Sequence, residues 1–225
     1  MYNIKDYAKI ILIIFIIFSL ADCGRINFKK KNISDKALAG YLSAKNSYEK
    51  GNFKSARLKF KKIYKKYPNF YQSGFMYGKS EFFIGNIDNA GLIFKKLYDK
   101  FPAYTDAAFW QARAFFNSGK LEAAEKLLKK LLSFQPDNPE ILYQLALISL
   151  EKNRIPDALS FLKRASLFGE RFALVYFQLG RLYEQLGSSE QSIEELSRAE
   201  ALLSEKSPLY NSIKLIKEKV SEGSK

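Results

Sequence analysis

The sequence predicts an all-α protein, a solenoid of five consecutive helical hairpins closed by one further helix. The first observation behind this class is a set of small and helix-ending residues that recur every 34 residues through most of the 225-residue chain; a period of this length indicates stacked supersecondary units. The second is an apolar stripe at helical spacing near the C-terminus. A chain that is 47% hydrophobic and 15% aromatic also has enough apolar side chains to fill such a core.

The composition excludes several kinds of active site. The chain has no histidine and one cysteine, so it lacks Ser-His-Asp and Cys-His pairs, histidine-ligated metals and internal disulfides. Its conspicuous glycines fall at repeat positions and form no phosphate-binding loop, and Glu194 and Glu195 diverge on consecutive helical positions. We therefore predict a protein that is not an enzyme, with no metal, no cofactor and no small-molecule substrate.

The N-terminus predicts an export signal of the lipoprotein type. Two lysines precede an apolar run, and the 12 residues of Ile10–Ala21 span about 18 Å as a helix, too short for a hydrocarbon core of ~30 Å. The following Leu-Ala-Asp-Cys-Gly resembles a bacterial lipobox. The resemblance implies a signal peptide over 1–22, a lipid on Cys23 and an exported protein anchored in the cell envelope, on the periplasmic face. The alternative is an uncleaved signal-anchor, since Asp22 departs from the small uncharged residue usual before the cysteine.

Five 34-residue units follow from residue 37 to residue 206 without insertion. Positions 8 and 20 of each unit are small, and position 24 is large and apolar. Glycine, or asparagine in the fourth unit, ends the first helix at position 15 because these residues adopt a left-handed conformation cheaply, and proline at position 32 ends the second helix in three units. The units are 37–70, 71–104, 105–138, 139–172 and 173–206; position 8 holds Ala44, Gly78, Ala112, Ala146 and Gly180, and position 24 holds Phe60, Phe94, Leu128, Leu162 and Leu196.

These positions resemble the tetratricopeptide repeat (TPR), a helix–turn–helix unit of 34 residues, over about three quarters of the chain. The resemblance implies a right-handed superhelix whose first helices line a concave groove. The family's tryptophan position is Gly or Ala in the first three units, and the last two units lack the terminal proline, departures that leave the period intact. Size, anchor and segments such as FKKIYKKYPNF at 60–70 further resemble the five-repeat lipoprotein of the outer-membrane β-barrel assembly machinery, which implies a role in envelope or outer-membrane protein assembly.

The segments before and after the five units have sequence patterns different from the repeat. Ser207 before Pro208 reads as an N-cap with proline in the first turn, so 207–225 is predicted to contain a capping helix over 208–221 and a frayed tail. Residues 23–36 lack the period and predict a basic tether. The apolar stripe of the capping helix consists of Leu209, Ile213, Ile216 and Val220.

Three positions of the first helices are expected to face the groove, as the resemblance implies. Position 5 is aromatic in every unit, position 12 is aromatic in three, and position 9 is basic in four, where the family commonly has asparagine. Rings interleaved with cations suit a protein or peptide partner with apolar and acidic groups; the missing asparagine argues against the chaperone-binding carboxylate clamp. The alternative is that aromatic residues at positions 5 and 12 are usual in the family and partly pack between units. The predicted groove residues are Tyr41, Phe75, Phe109, Tyr143 and Phe177 at position 5, Lys45, Lys79, Arg113 and Arg181 at position 9, and Tyr48, Phe82 and Phe116 at position 12.

The formal net charge of +14 is concentrated beside the predicted anchor. Residues 23–70 contain 14 basic and two acidic residues and so hold +12 of it. These lysines are expected either to form a solvated helix face or to lie against anionic lipid; nucleic acid is disfavoured because an exported protein does not normally meet it. Lys152 and Arg154 are expected to be solvated surface. The predicted membrane-proximal set is Lys29, Lys30, Lys31, Lys61, Lys62, Lys65 and Lys66.

Taken together, the sequence predicts a scaffold anchored to the bacterial cell envelope by lipid at Cys23, with a protein or peptide partner in its groove. The alternative is a membrane-surface protein whose basic first repeat binds anionic lipid and whose repeats serve self-association. Neither prediction includes nucleic acid.

Overall fold

Helices and short turns make up the described part of the chain. The computed structural model describes residues 33–168 and 172–223; the predicted signal peptide, Cys23 and the tether through residue 32 lie outside the described residues. The chain from Asp35 onward forms one unit. Among the described residues no strand occurs, and none of the helices combines the length and the apolarity needed to cross a bilayer.

The helices alternate in pairs along the sequence, with three or four residues between neighbours and six before the last helix. Their bounds are α1 Asp35–Glu49, α2 Phe53–Lys66, α3 Tyr71–Phe83, α4 Ile87–Lys100, α5 Thr105–Asn117, α6 Leu121–Phe134, α7 Pro139–Glu151, α8 Ile155–Phe168, α9 Ala173–Gln185, α10 Ser189–Ala201 and α11 Pro208–Gly223.

The odd-numbered helices lie on the inner side of the stack. Every helix packs against the next one along the chain, and α1, α3, α5 and α7 also contact one another in succession. The successive even-numbered helices in the described ranges have no comparable contact. A stack in which one set of helices approaches and the other diverges is curved, with the approaching set on its concave face. The structure thus has an inner face of odd-numbered helices and an outer face of even-numbered ones.

Small residues let the two helices of each pair cross closely. Ala44, Ala112 and Ala146 are fully buried at position 8. At Gly78 a Cβ would lie 2.7 Å from a ring carbon of Phe94, closer than real Cβ contacts come. The large residues at position 24 are also fully buried in every pair. The small residues at position 8 and the large ones at position 24 thus lie in the core, and the two positions face each other in the second and fifth units.

The turn inside each pair requires a left-handed residue. Glycine takes positive φ at position 15 in four pairs, with values between 70° and 89°, and Asn153 takes φ 53° in the fourth. Residues with a Cβ are strained there, and Asn tolerates the conformation best after Gly. The prediction for these five positions is confirmed.

The two ends of the stack are covered differently. At the C-terminal end Ile213 of α11 is fully buried against Leu196 and Ala199, and the Ser207 hydroxyl accepts a hydrogen bond from the Leu209 amide at 3.3 Å. At the N-terminal end Lys59 of α2 donates hydrogen bonds to the hydroxyls of Ser43 and Ser47 of α1, at 3.0 Å each, while Leu38 and Leu42 of α1 are 47% and 57% exposed.

Candidate functional site

Three of the five aromatic residues at position 5 contact a second aromatic residue at the end of their own unit. All five are half-buried, and in these three the second aromatic residue is at position 34, the last of the unit. The ring centroids are 4.9 Å apart for Tyr41–Phe70, 5.1 Å for Phe75–Tyr104 and 4.9 Å for Tyr143–Phe172. These contacts lie within one unit, whereas the alternative predicted packing between units, which Phe75 shows in its contact with Trp110 of the next unit at 6.3 Å. The recurrence of an aromatic at position 34 was a signal that the sequence analysis missed.

A different group of rings meets on the inner face around Trp110 of α5. The indole centroid lies 5.4 Å from Phe82 and 5.9 Å from Phe83, both on α3. Phe83 in turn contacts Tyr48 at 5.9 Å and stacks on Phe53 at 5.0 Å. We call Tyr48, Phe53, Phe82, Phe83 and Trp110, with Lys79 and Arg113, the Trp110 cluster. It joins side chains from α1, α2, α3 and α5, and four of its members were predicted as groove residues.

Two cations of the Trp110 cluster lie over the same indole. The ammonium of Lys79 is 4.7 Å from the Trp110 centroid and 5.5 Å from that of Tyr48. The guanidinium carbon of Arg113 is 4.2 Å from the Trp110 centroid. Both side chains are half-buried, and within the described part of the chain neither forms an ion pair. Two cations therefore contact one indole, and neither is paired with a carboxylate in the described part of the chain.

Burial shifts the pKa values of three residues in the Trp110 cluster, in each case against the ionised form. It lowers the pKa of Lys79, and the neighbouring Arg113 charge lowers it further against the weaker pull of Asp106 and Glu140. Burial also lowers the pKa of Arg113, and it raises the pKa of Tyr48 to about 12, an effect that Arg113 partly offsets. Each ionised form is disfavoured because water is partly excluded. An anion entering the cluster would meet cations that have already lost hydration.

The other predicted groove residues fall into two places. Phe116 and Arg181 line a cavity of about 400 Å³ on the inner face, together with Leu147, Leu150 and Gln178. Lys45 stays apart on α1, where it is exposed and 3.6 Å from Glu49. Phe109 packs partly buried against the core between α5 and α7, and Phe177 packs against the core under α11. The structure thus brings Lys79, Arg113, Tyr48 and Phe82 together, and Phe116 with Arg181, but not all twelve.

The sequence carries a family signal over most of the described fold. Sequence models described as Tetratricopeptide repeat match residues 38–69, 85–140 with 122–175, and 173–202, which together are about two thirds of the chain. The chain is a tetratricopeptide repeat protein. No curated protein matches its sequence.

Several solved structures have a fold similar to that of this TPR protein at low sequence identity. The structure of MamA residues 41 to the end from Desulfovibrio magneticus RS-1 has a TM-score of 0.63 at 15% identity, over 76% of this chain and 96% of that one. TTC0263, a thermophilic TPR protein of Thermus thermophilus, has a TM-score of 0.68 at 16% identity, over 83% and 99%. The Cut9–Hcn1 hetero-tetramer of the APC/C gives 0.72 at 17% identity, over 84% of this chain and 37% of that one. Identities this low establish likeness of fold alone.

The basic residues of the first repeat lie on the outer face of the TPR array. Lys61, Lys62, Lys65 and Lys66 are exposed on α2, and none of them forms an ion pair with another described residue. Lys66 lies 5.4 Å from the ring of Tyr67. The remaining members of the predicted set, Lys29, Lys30 and Lys31, lie outside the described residues.

The expectation for Lys152 and Arg154 was wrong. Both contact Glu125 of the preceding repeat at 2.9 Å, and the Glu125 side chain is only 12% exposed. Burial alone would raise the pKa of Glu125, but hydrogen bonds from Lys129, Lys152 and Arg154 outweigh it and lower the pKa to about 2. These ion pairs link two repeats, because the buried carboxylate of Glu125, at position 21 of its repeat, faces the turn between the two helices of the next repeat. Among the described residues no group of His, Cys, Asp and Glu side chains is arranged to hold a metal ion.

Proposed function

We propose that this TPR protein is an interaction scaffold that holds a protein or peptide partner on its inner face, with the Trp110 cluster as the anchoring point. The observation that carries the proposal is the pair Lys79 and Arg113, half-buried over one indole without an ion-pair partner in the described fold. A partly dehydrated cation gains more from an incoming anion than a fully hydrated one does.

The cluster defines the chemistry of the partner segment. Its cations favour a carboxylate, and its rings favour an apolar or aromatic side chain beside that carboxylate, because rigid rings give contact area at small entropic cost. The cavity lined by Phe116, Leu147 and Arg181 continues the inner face towards α9. An extended segment with one acidic residue and apolar neighbours would occupy both places. The Cut9–Hcn1 hetero-tetramer supports the use of a similar solenoid in binding another chain.

Trp110 offers a direct test, because it is the single tryptophan of the chain. Peptides with a Glu or Asp between apolar residues should change its emission saturably, while the same peptides with Gln or Asn should not. Lys79→Gln with Arg113→Gln should weaken binding at least tenfold, the effect of losing roughly 1.4 kcal/mol of charge-assisted bonding.

A matched variant separates this site from general electrostatics. Lys206→Gln with Lys214→Gln removes the same charge from exposed positions outside the inner face and should leave the affinity within about twofold, since surface charges contribute little. Equal losses in both double variants, or equal binding of the acidic and amide peptides, would contradict the assignment to the Trp110 cluster.

We further propose that the protein is exported and held in the bacterial cell envelope by lipid on Cys23, as the lipobox-like sequence suggests. Acyl chains bind a membrane by roughly 0.8 kcal/mol per buried CH₂, so Cys23→Ala should move the protein from the membrane to the soluble fraction of fractionated cells. Membrane retention of Cys23→Ala would favour the uncleaved signal-anchor. In the anchored form the scaffold would serve envelope or outer-membrane protein assembly.

A second candidate is a membrane-surface protein whose basic first repeat binds anionic lipid, with the repeats serving self-association. It is supported by Lys61, Lys62, Lys65 and Lys66, exposed and without ion pairs among the described residues. Replacing these four by Gln should reduce association with anionic vesicles if this candidate is correct, by about 1 kcal/mol per lysine near the surface. The same variant should leave peptide binding to Trp110 unchanged if the first proposal is correct.

A further inference from the structure

Two consecutive basic residues recur at the same place on four successive outer helices. They occupy positions 25 and 26 of the 34-residue unit, on α2, α4, α6 and α8. In a solenoid, equal repeat positions line up along the stack. The doublets are Lys61 and Lys62, Lys95 and Lys96, Lys129 and Lys130, and Lys163 and Arg164.

The doublets belong to one solvent-facing stripe on each helix. Positions 22, 25, 26 and 29 lie on the same side of an α-helix. Across the four helices these 16 positions contain ten basic residues and one acidic residue, and all but Arg164 are exposed. We call this surface the basic ladder. It consists of Leu58, Lys61, Lys62 and Lys65 on α2, Leu92, Lys95, Lys96 and Asp99 on α4, Lys126, Lys129, Lys130 and Ser133 on α6, and Ser160, Lys163, Arg164 and Leu167 on α8.

Large apolar side chains are exposed within the basic ladder. Leu58 is 60% exposed, Leu92 58% and Leu167 72%, and Phe134, one position beyond the stripe, is 67% exposed. The other large apolar residues of the described chain are at most 57% exposed, except Leu215 on α11 at 67%. Leucine and phenylalanine are thus presented to solvent among lysines on the same helix faces.

The net charge of each repeat does not reveal that its basic and acidic residues lie mostly on different surfaces. In the second to fourth repeats acidic residues nearly balance basic ones in number, but the acidic ones lie elsewhere. Glu81 and Glu125 are buried between repeats, and Asp88 and Glu122 lie in the first turns of α4 and α6. A solvated helix face commonly alternates the two signs three or four residues apart; in this stripe the only acidic position is Asp99, which pairs with Lys95, and Lys129 pairs with the buried Glu125 beside the stripe.

We propose that the basic ladder docks the outer face of the array on an anionic lipid bilayer. Lysines at a bilayer surface bind anionic headgroups, while neighbouring apolar side chains enter the boundary between headgroups and acyl chains. Nucleic acid would satisfy the lysines but would leave the exposed leucines and Phe134 without a role. The surface ends at α10, where positions 22 and 25 are Glu194 and Ser197.

This inference goes beyond the proposed function, since it concerns the opposite face from the Trp110 cluster and depends on neither the partner nor the lipid on Cys23. It also differs from the first-repeat candidate, because three of the four doublets lie in the second to fourth repeats. A bilayer on the outer face would leave the inner face open to a partner.

The test measures contact of chosen positions with lipid in the full chain. In a Cys23→Ser background, a fluorophore is attached through Ser160→Cys in the basic ladder or through Gln178→Cys at the inner cavity. Vesicles contain a lipid-borne quencher in phosphatidylcholine, with or without phosphatidylserine. We expect quenching at residue 160 only with phosphatidylserine, reversal by high salt, and no quenching at residue 178 in either vesicle.

A matched pair of triple variants decides whether the ladder carries the contact. Lys96→Gln, Lys130→Gln and Lys163→Gln remove one charge each from α4, α6 and α8 and should abolish most of the quenching at residue 160. The control replaces three exposed lysines outside the ladder and should preserve it, with unchanged helical circular dichroism in both. The control positions are Lys50, Lys206 and Lys214.

Several outcomes would overturn the proposal. Equal quenching at residues 160 and 178, equal quenching without phosphatidylserine, or persistence of quenching in the ladder triple variant would each exclude docking by this surface. A DNA duplex that shifts the emission at residue 160 when anionic vesicles do not would assign the ladder to a polyanion. No response to vesicles or to DNA would also overturn the proposal and would show that the basic ladder is a solvated helix face.

Discussion

At the scale of single residues, Lys79 combines a cost in stability with the role in binding that we propose for it. Its pKa is lowered by burial and by Arg113, so the unfolded chain binds the proton more readily than the folded one. The charged ammonium therefore disfavours folding at neutral pH, and this effect disappears as pH rises from the lowered pKa towards the ordinary value of 10.5. In the proposed function this partly dehydrated ammonium is the group that would receive the carboxylate of the partner.

Lys79→Met should separate the two effects. We expect the free energy of unfolding to rise at pH 7, by less than about 1 kcal/mol because the ammonium keeps part of its hydration, and the gain to shrink as pH approaches 10.5. Binding of acidic peptides should weaken in the same variant. Urea unfolding at several pH values and peptide titration measure the two quantities; lower stability at pH 7 would contradict the burial argument.

Glu125, unlike Lys79, stabilises the folded protein in its charged form. Its pKa of about 2 lies below the ordinary 4.5, so its stabilising effect is fully present above pH 4.5 and is lost as pH falls towards 2. Glu125→Gln removes the buried carboxylate that Lys152 and Arg154 share, while Glu122 and Asp157 remain beside them, and should cost about 1–3 kcal/mol at pH 7. Urea unfolding from pH 7 to pH 2 should show the two proteins converging in acid. A constant difference across this range would contradict it.

Residue-level features were predictable from sequence only where backbone geometry determines them. Gly51, Gly85 and Asn153 could be assigned because a left-handed turn accepts few residue types. Trp110 could not, since its neighbours Phe82 and Phe83 come from another helix and depend on how two repeats pack. Glu125 was missed for the same reason: a carboxylate on a helix looks solvated until the turn of the next repeat is in place.

At the scale of one helix, α4 contains a glycine that the packing does not require. A Cβ on Gly91 would lie 3.4 Å from the Cβ of Ala114, an ordinary contact, beside a cavity of about 260 Å³. Gly91→Ala should therefore stabilise the protein by about 0.5–1 kcal/mol through helix propensity. Gly78→Ala gains the same propensity but meets Phe94, and should destabilise by about 1–3 kcal/mol. Urea midpoints followed by circular dichroism measure both; equal shifts of the same sign would refute the distinction.

The helices themselves were largely predictable, and the treatment of the ends only in part. The 34-residue period places every turn, and the stripe through Ile213 predicted α11 over 208–221, where the structure has Pro208–Gly223. The hydrogen bonds from Lys59 to Ser43 and Ser47 in the first repeat were missed, because these contacts do not recur in the other repeats and periodicity reports only what recurs. The basic ladder was missed because the net charge of a segment does not show on which face of a helix its basic residues lie.

At the scale of the whole molecule, the array separates two surfaces. The inner face concentrates rings with a few partly dehydrated cations, and the outer face concentrates hydrated lysines with exposed leucines. Both follow from one property of the fold: each repeat position returns to the same face, so a preference at a single position becomes a continuous surface. A partner on the inner face and a bilayer on the outer face would not compete for space.

The same linear arrangement predicts how the molecule unfolds. Each repeat contacts mainly its neighbours, so damage at the C-terminal end should stay there. Ile213→Ala removes a fully buried side chain from α11 and should destabilise that end by about 2–4 kcal/mol. In urea, helical circular dichroism should begin to fall earlier than in the parent protein, while Trp110 emission, which reports the third repeat, should change near the parent midpoint. Leu215→Ala, at a position of the same helix that is 67% exposed, should shift neither signal. Coincident early transitions for both signals in Ile213→Ala would show that the repeats unfold as one cooperative unit, and that the contacts between neighbours are stronger than those within each hairpin.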